Sequence, residues 1–336
     1  LWMLNNPNSN LINHMDFFIY PDENDIDFIK INSPEEIKIC DPACGSGHIL
    51  NYAFDLLYLI YEEEGYDLTS VPKLILENNL YGIELDQRAG SLASFSLTIK
   101  AREKQPTFFK DLIRPNICVL ENFKFESDEL NEYRQKVGSD LYTSSFEKTL
   151  LQFENTKNFG SLIQPTLSDI NTVLEEVKLK NFPNNIFLDS THQKVIKTLN
   201  QAKYLEKKYH IVIANPPYMR IKSLNPMLSD FANKFFPESK TDLFSMFVER
   251  SVNFVYKSGY LSFLTMQSWM FLGSYTNFRQ SIFNKNHLLQ MFHTGPGLFP
   301  ELGSFNVLTT SFLIEIGTNT KNKKCLFIKG NENPNI

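Results

Sequence analysis

Cysteine is scarce in this sequence and unpatterned. Cys40, Cys44, Cys118 and Cys325 form no CxxC pair and stand beside no histidine-rich segment, which argues against a zinc site and a disulfide framework. No metal is expected, and the thiols should be reduced. Basic excess is lacking as well. The 33 Lys and Arg face 38 Asp and Glu, a formal net charge of −5, whereas a domain that grips nucleic acid unaided carries a positive surface to displace counterions. Any hold on a polyanion must be local or supplied elsewhere. No apolar run approaches the roughly 18 residues that a membrane helix needs. The opening LWMLNNPNSN has neither the basic start nor the apolar stretch of a secretion signal. A cytoplasmic protein without membrane contact is expected. Internal repeats, low-complexity tracts and the GK[ST] of a phosphate-binding loop are all missing. Tryptophan is limited to 2 residues against 29 Phe and 14 Tyr, a bias that coding composition explains as readily as function does, so single aromatics must be argued by position. The missing initiator Met and the polar close KGNENPNI lead us to expect a piece of a longer protein.

What is present suffices for one large core or two modest ones, since 42% of 336 residues are apolar. A short apolar run at 37–40 leads into Asp41-Pro42-Ala43-Cys44-Gly45-Ser46-Gly47. Apolar residues then recur at Ile49, Leu50, Ala53, Phe54, Leu57 and Ile60 with helical spacing, which reads as strand, glycine turn, helix. A second strand fits 80–85. The helix after it should lay Ala89, Leu92, Ala93, Ser96 and Ile99 against a sheet, and a third strand fits 117–120. From 126 to 208 the text turns to charged, helix-period segments broken by Gly160, Pro165 and Pro183, which predicts a helical insertion. Alternation resumes with a strand at 211–214, a helix at 242–256, a strand at 261–265, a helix at 275–283 and strands at 288–292 and 307–316. Alternating strands and helices predict an α/β doubly wound sheet. Its expected divisions are 1–124, the insertion at 125–208, 209–318, and 319–336 as the start of a following segment.

In such a sheet, ligands bind beyond the carboxyl ends of the strands, and glycine there lets a ligand approach backbone that a Cβ would block. Gly45 and Gly47 hold that position. Asp41 can accept from the ammonium of an amino-acid-like cofactor, while the loop amides around Ala43 and Gly45 meet its carboxylate, with Pro42 in the same cofactor-binding turn. The dinucleotide fingerprint would need a third glycine where Leu50 stands. This favours S-adenosylmethionine over a nicotinamide cofactor. Glu84, at the end of the second strand, can accept both hydroxyls of a ribose, with Asp86 the near alternative and a solvated strand-end acid the plain one. It lies farther past Gly47 than the roughly 20 residues of the dinucleotide pattern.

The strand at 211–214 runs into Asn215-Pro216-Pro217-Tyr218, a stiff turn that offers acceptors and lacks donors at both prolines. An aromatic amine is a poor nucleophile because its lone pair is delocalised. A catalyst should draw it toward tetrahedral geometry by accepting its two hydrogens, which the Asn215 side-chain oxygen and the Pro216 carbonyl can do. No strong base is required, because the nitrogen becomes acidic on attacking a sulfonium methyl, so positioning and electrostatics carry the rate. Tyr218 would stack on a target base flipped out of its duplex. Its plain reading is packing beside a tight turn.

These residues resemble the N6-adenine DNA methyltransferases of the amino-methyltransferase group, in which the cofactor motif precedes the catalytic Asn-Pro-Pro-Tyr as 41–47 precedes 215–218 here. More narrowly, LWMLNNPNSN, DPACGSGHIL, the FGSLIQP segment (Phe159 to Pro165) and LTMQSWMFLGSY resemble the large PglX-type methyltransferases of BREX phage-defence systems. The resemblance implies a class I S-adenosylmethionine-dependent methyltransferase fold, Rossmann-like, with its cofactor half at 1–124 and its catalytic half at 209–318. It further implies site-specific methyl transfer to adenine N6 in double-stranded DNA, in phage defence and alongside other defence proteins. Phe299 matches a loop phenylalanine that stacks on the flipped base opposite the tyrosine, with Phe305 its competitor. The family's Asp after the third strand is replaced by Glu121-Asn122-Phe123, so Asn122 is the implied partner of the cofactor's adenine. Asp242, Leu243 and Phe244 resemble the stretch beside the cofactor pocket. The family's N-terminal motif and its recognition domain are expected outside this chain.

Other readings stand beside this one. A fused restriction-modification enzyme shares the core motifs, although Phe159–Ile163 is less expected there. The same turn serves methylation of glutamine amides in proteins and of bases in RNA, and a non-catalytic module could bind cofactor or a defence partner. Asp22 with Glu36 and Lys38 mimics a nuclease pattern, but Glu36 and Lys38 introduce the first strand.

Overall fold

The computed structural model of the chain describes residues 1–15, 28–295, 308–317 and 324–330. Eight strands form one sheet: β1 (Ile39–Asp41), β2 (Leu80–Glu84), β3 (Asn116–Val119), β4 (Tyr209–Ala214), β5 (Val255–Met266), β6 (His287–His293), β7 (Thr309–Glu315) and β8 (Leu326–Lys329). Across the sheet they run β3-β2-β1-β4-β5-β7-β6-β8. The first five pair in parallel, whereas β7 lies antiparallel between β5 and β6. The order reverses between β1 and β4, and in doubly wound sheets a crevice opens at that switch point. Cys40 lies beside Val212 in this register, so the ends of β1 and β4 share one edge of the crevice.

Strand periodicity sorts side chains to the two faces of the sheet. Ile39 and Leu80 join one cluster with Leu50, Phe54 and Leu57 of α1 (His48–Glu63) and Ala93 and Leu97 of α2 (Gln87–Lys104). Cys40, Tyr81 and Ile83 join the other. That second face is covered by α3 (Ser127–Val137), α4 (Ser144–Gln152), α5 (Ile170–Lys178) and α6 (Ile186–Glu206), whose apolar sides share a core with α7 (Pro226–Phe235), α8 (Leu243–Val252) and α9 (Thr276–Phe283). The long segment between β3 and β4 thus serves as the crossover that covers one sheet face.

The structure corrects three sequence expectations. Leu92 is 52% exposed, and α2 instead buries Gly90, Ala93, Leu97 and Ala101. Small residues decide this face because they allow close approach. A Cβ on Gly90 would meet Val119 Cγ2 at 2.4 Å. The helix expected at 242–256 ends at Val252, and β5 already begins at Val255, ahead of Leu261 where the expected strand starts. Tyr209 pairs with Val255 and Ile211 with Tyr260, so a bulge absorbs the extra residues, and a Cβ on Gly259 would meet the His210 carbonyl oxygen at 2.7 Å. Finally, β8 extends the sheet beside β6 within a segment to which no element had been assigned. Phe299 and Phe305 lie outside the described residues, as does Asp22. Among the described residues no helix is long and apolar enough to cross a membrane.

Gly90→Ala tests the close approach of α2. Alanine is the better helix former by about 1 kcal/mol, but the β-branched Val119 has no free end to swing aside. Net destabilisation of about 1–3 kcal/mol is expected, seen as a lower urea midpoint at unchanged slope.

Candidate functional site

The turn after β1 owes its shape to two positive-φ glycines. Gly45 sits at φ 53° and Gly47 at φ 85°, where it precedes the first turn of α1. Cys44 N–H donates to the Ile83 carbonyl at 3.1 Å, tying the turn to β2, and Gly47 N–H closes it on the Cys44 carbonyl at 2.8 Å. A Cβ on Gly47 would press on Ala93 Cβ at 3.0 Å, whereas one on Gly45 would meet nothing within 4 Å. Gly47 is therefore small for packing, and Gly45 faces open space.

Two carboxylates flank this turn. Asp41, at 1% exposure, accepts from Ala43 N–H at 3.0 Å through Oδ1. Among the described residues no cationic side chain pairs with it. Burial pushes its carboxyl up to about 7, the Ala43 amide opposes the rise and the nearby Glu84 charge adds to it. Glu84 Oε2 accepts from Gly45 N–H at 2.8 Å, while Oε1 accepts from Leu85 and Asp86 N–H at 2.8 and 3.0 Å. Both amides that the sequence assigned to a ligand are thus engaged by the protein's own carboxylates. Asp86 instead caps α2, accepting from Arg88 and Ala89 N–H. A buried carboxyl without a cation, beside open space at a glycine, fits a ligand that carries an ammonium group.

Asn122 follows β3 on the same edge. Its Oδ1 accepts from Lys157 N–H at 2.8 Å, so one of its acceptor sites is used by the 156–163 segment.

Asn215-Pro216-Pro217-Tyr218 leaves the buried end of β4 at the neighbouring strand. Pro216 is buried, while Asn215, Pro217 and Tyr218 are exposed. The single hydrogen of the Tyr218 hydroxyl is shared between Asn215 Oδ1 at 2.6 Å and the Leu264 carbonyl at 3.2 Å. Its ring stands edge-on to Phe244, centroids 6.1 Å apart. Burial, then the charge of Asp242, raises the Tyr218 phenol to about 12. Asp242 caps α8 by accepting from Phe244 N–H at 3.3 Å, and the same oxygen accepts from Met219 N–H at 3.0 Å. Its carboxyl, raised by burial, pins the chain immediately after the turn. Phe244 and Leu243 are buried in α8.

The structure adds residues that sequence reasoning passed over. Ser161 donates to the Pro42 carbonyl at 2.6 Å, and the Lys157 ammonium reaches the Leu85 carbonyl. Gln267, after β5, and His293, ending β6, are hydrogen-bonded to each other on the same sheet edge. Ser161 stood inside a quoted segment, but no local pattern signalled its partner. Glu36 and Lys38 bind Asn32 and the Glu35 carbonyl, which accounts for them as local structure.

A pyrophosphate would find no third glycine here, and an uncompensated carboxyl suits an amino acid better than a phosphate. Together with the strand order and the reversed β7, this makes the fold that of a class I S-adenosylmethionine-dependent methyltransferase. A family model described as Eco57I restriction-modification methylase matches residues 78–299. The chain belongs to that family. It is 34% identical over 346 residues to the adenine-specific methyltransferase BrxX of Escherichia coli O9:H4 (strain HS), covering 94% of this chain and 29% of that protein. To the adenine-specific methyltransferase PglX of Lacticaseibacillus casei (strain Zhang) it is 32% identical over 323 residues, covering 90% and 27%. The chain thus spans less than a third of the length of these relatives. Among solved structures, a nuclease-deletion mutant of the Type ISP restriction-modification enzyme LlaGI in complex with a DNA substrate mimic is similar in fold, with a TM-score of 0.52 at 15% identity over 88% of this chain and 21% of that one.

Asp41 makes the cofactor-free protein pH-sensitive. Its folded value of about 7 stands above the ordinary 3.8, so its contribution is full below about pH 4 and is lost as pH rises through 7. The loss is on the order of 4 kcal/mol at most. Urea midpoints of the free protein should fall between pH 5 and pH 8, and Asp41→Asn should flatten that fall.

Proposed function

We propose that the protein is a site-specific DNA methyltransferase acting on the exocyclic N6 of adenine. The observation that carries this reading is the placement of Asn215, exposed, and Pro216 in the turn directly after β4, on the same crevice edge as Asp41, Gly45 and Glu84. Membership in a restriction-modification methylase family and two relatives named as adenine-specific methyltransferases support it. The names BrxX and PglX favour a role in BREX-type phage defence, with other defence proteins as partners.

S-adenosylmethionine supplies an electrophilic methyl group when bound. Asp41 would hold its ammonium, Glu84 its ribose, the open side of Gly45 its passage along the backbone, and Asn122 its adenine. On the target side, Asn215 Oδ1 and the Pro216 carbonyl accept the two amine hydrogens and aim the nitrogen lone pair across the crevice. The prolines present no competing donors. As the nitrogen becomes acidic, the same acceptors or water take its proton, and no strong base is needed. Tyr218, with the Phe299 that the family resemblance implies, would hold the flipped base between two aromatic faces.

The resting geometry adds a requirement. Because Asn215 Oδ1 already accepts from the Tyr218 hydroxyl, the target amine must compete for that oxygen. Tyr218→Phe keeps the stacking face and removes the competitor, so its kcat should stay within a few-fold of the parent. Tyr218→Ala loses a stack worth about 1–3 kcal/mol, and its kcat/KM for DNA should fall roughly 10- to 100-fold.

The decisive experiment incubates the full-length protein and its Asn215→Ala variant with radiolabelled S-adenosylmethionine and DNA, then identifies the labelled nucleoside. N6-methyladenine that drops at least about 100-fold in the variant is expected. Cofactor binding without label in DNA would overturn the reading and direct attention to RNA and to glutamine side chains.

A further inference from the structure

Residues 156–163 lie in the long crossover between β3 and β4, outside both recognised motifs, yet they touch the loops after β1, β2 and β3 and the helix α7. Lys157 N–H donates to Asn122 Oδ1 beyond β3, and the Lys157 ammonium meets the Leu85 carbonyl beyond β2. Ser161 Oγ donates to the Pro42 carbonyl beyond β1. On the target side, Asn158 Oδ1 accepts from Asn225 Nδ2 at 3.0 Å, and Asn225 caps α7, the first α-helix after the Asn-Pro-Pro-Tyr turn. Phe159 stacks on Phe231 of α7 with ring centroids 4.1 Å apart and planes 14° apart.

The segment is itself firmly set. Gly160 adopts φ 55°, ψ −143°, a conformation open essentially to glycine alone, and a Cβ there would meet the Leu85 side chain at 3.3 Å. The Ile163 carbonyl accepts from Arg250 Nε and Nη2 at 3.2 and 3.0 Å, and Nη2 also donates to the Leu205 carbonyl at 2.6 Å. A buried arginine of α8 thus staples the end of the segment to the core. Ser161, at 3% exposure, has its hydroxyl aimed at Pro42 by the glycine before it and this anchor after it.

We propose that residues 156–163 are a clasp that sets the cofactor turn from outside the cofactor motif, and that Ser161 is a positioning residue acting through the Pro42 carbonyl. The peptide that carries this carbonyl joins Pro42 to Ala43, whose N–H serves Asp41. Holding its oxygen from behind fixes the orientation of the amide in front, and with it the carboxylate offered to the cofactor. Lys157 restrains the Leu85 carbonyl in the same way, in the peptide whose Asp86 N–H serves Glu84. The clasp acts on cofactor affinity and leaves intact the turn after β4 that would hold the target amine.

This inference rests on the methyltransferase reading, and the two fail differently. The test is calorimetric binding of S-adenosylhomocysteine to the full-length protein and to Ser161→Ala, Ser161→Thr and Lys157→Met, each compared where its own unfolding curve shows it fully folded. Loss of one hydrogen bond at the turn should weaken binding roughly 3- to 10-fold in Ser161→Ala, while Ser161→Thr, which keeps the hydroxyl, recovers most of it. Lys157→Met changes an exposed side chain without disturbing the core and should weaken binding by a smaller factor. In turnover, KM for S-adenosylmethionine should rise with kcat retained. Unchanged affinity in folded Ser161→Ala and Lys157→Met would overturn the clasp. A parent protein that does not bind S-adenosylhomocysteine would overturn the methyltransferase reading instead.

Discussion

Asp41 and Glu84 end adjacent parallel strands, and the turn from Pro42 to Gly47 holds its form because its amides serve both carboxylates. Ala43 N–H turns back to Asp41 and Gly45 N–H crosses to Glu84. Burial raises the Asp41 carboxyl, and the like charge of Glu84 brought to the same edge adds to that rise. The free protein therefore holds this site under electrostatic tension. A cationic ligand would relieve it, since among the described residues no lysine or arginine pairs with Asp41.

The neighbouring strand follows a different physical rule. The two prolines remove donors from the turn after β4, so the oxygens of Asn215 and Pro216 have few backbone competitors. Their rival is the Tyr218 hydroxyl, which occupies Asn215 Oδ1 in the resting state. Asp242 holds the chain after the turn by two backbone amides, one of them at the start of α8. Rigidity on both sides of Asn215 and Pro216 leaves the tyrosine as the group with freedom to adjust.

The strand, glycine turn and helix around Asp41 were legible because each element is local, and the same holds for the buried strand that ends at Asn215. The doubly wound order followed from the alternation of elements. Helix facing was less legible. Periodicity pointed α2 toward the sheet through Leu92, whereas Gly90 and Ala93 allow an approach so close that the stripe rotates and leaves Leu92 in solvent. The start of β5 was hidden because Val255 and Tyr256 continue the apolar text of the preceding helix. Leu326–Lys329 was passed over because four residues with exposed side chains bear no pattern until β6 is beside them.

Sequence by itself determined the chemistry offered at the strand ends: a carboxylate before a glycine turn, a second carboxylate one strand over, and a donor-poor turn with an amide and a phenol. Those features depend on residues that are neighbours in the chain, where bonded geometry governs. Only the tertiary structure decided that the amides of the turn are shared between Asp41 and Glu84, that Tyr218 holds Asn215, and that Ser161 reaches Pro42 across 119 residues. Such pairings exist because crossover helices bury their apolar sides on a common sheet face, and where that burial brings two distant segments together is recorded in no local pattern.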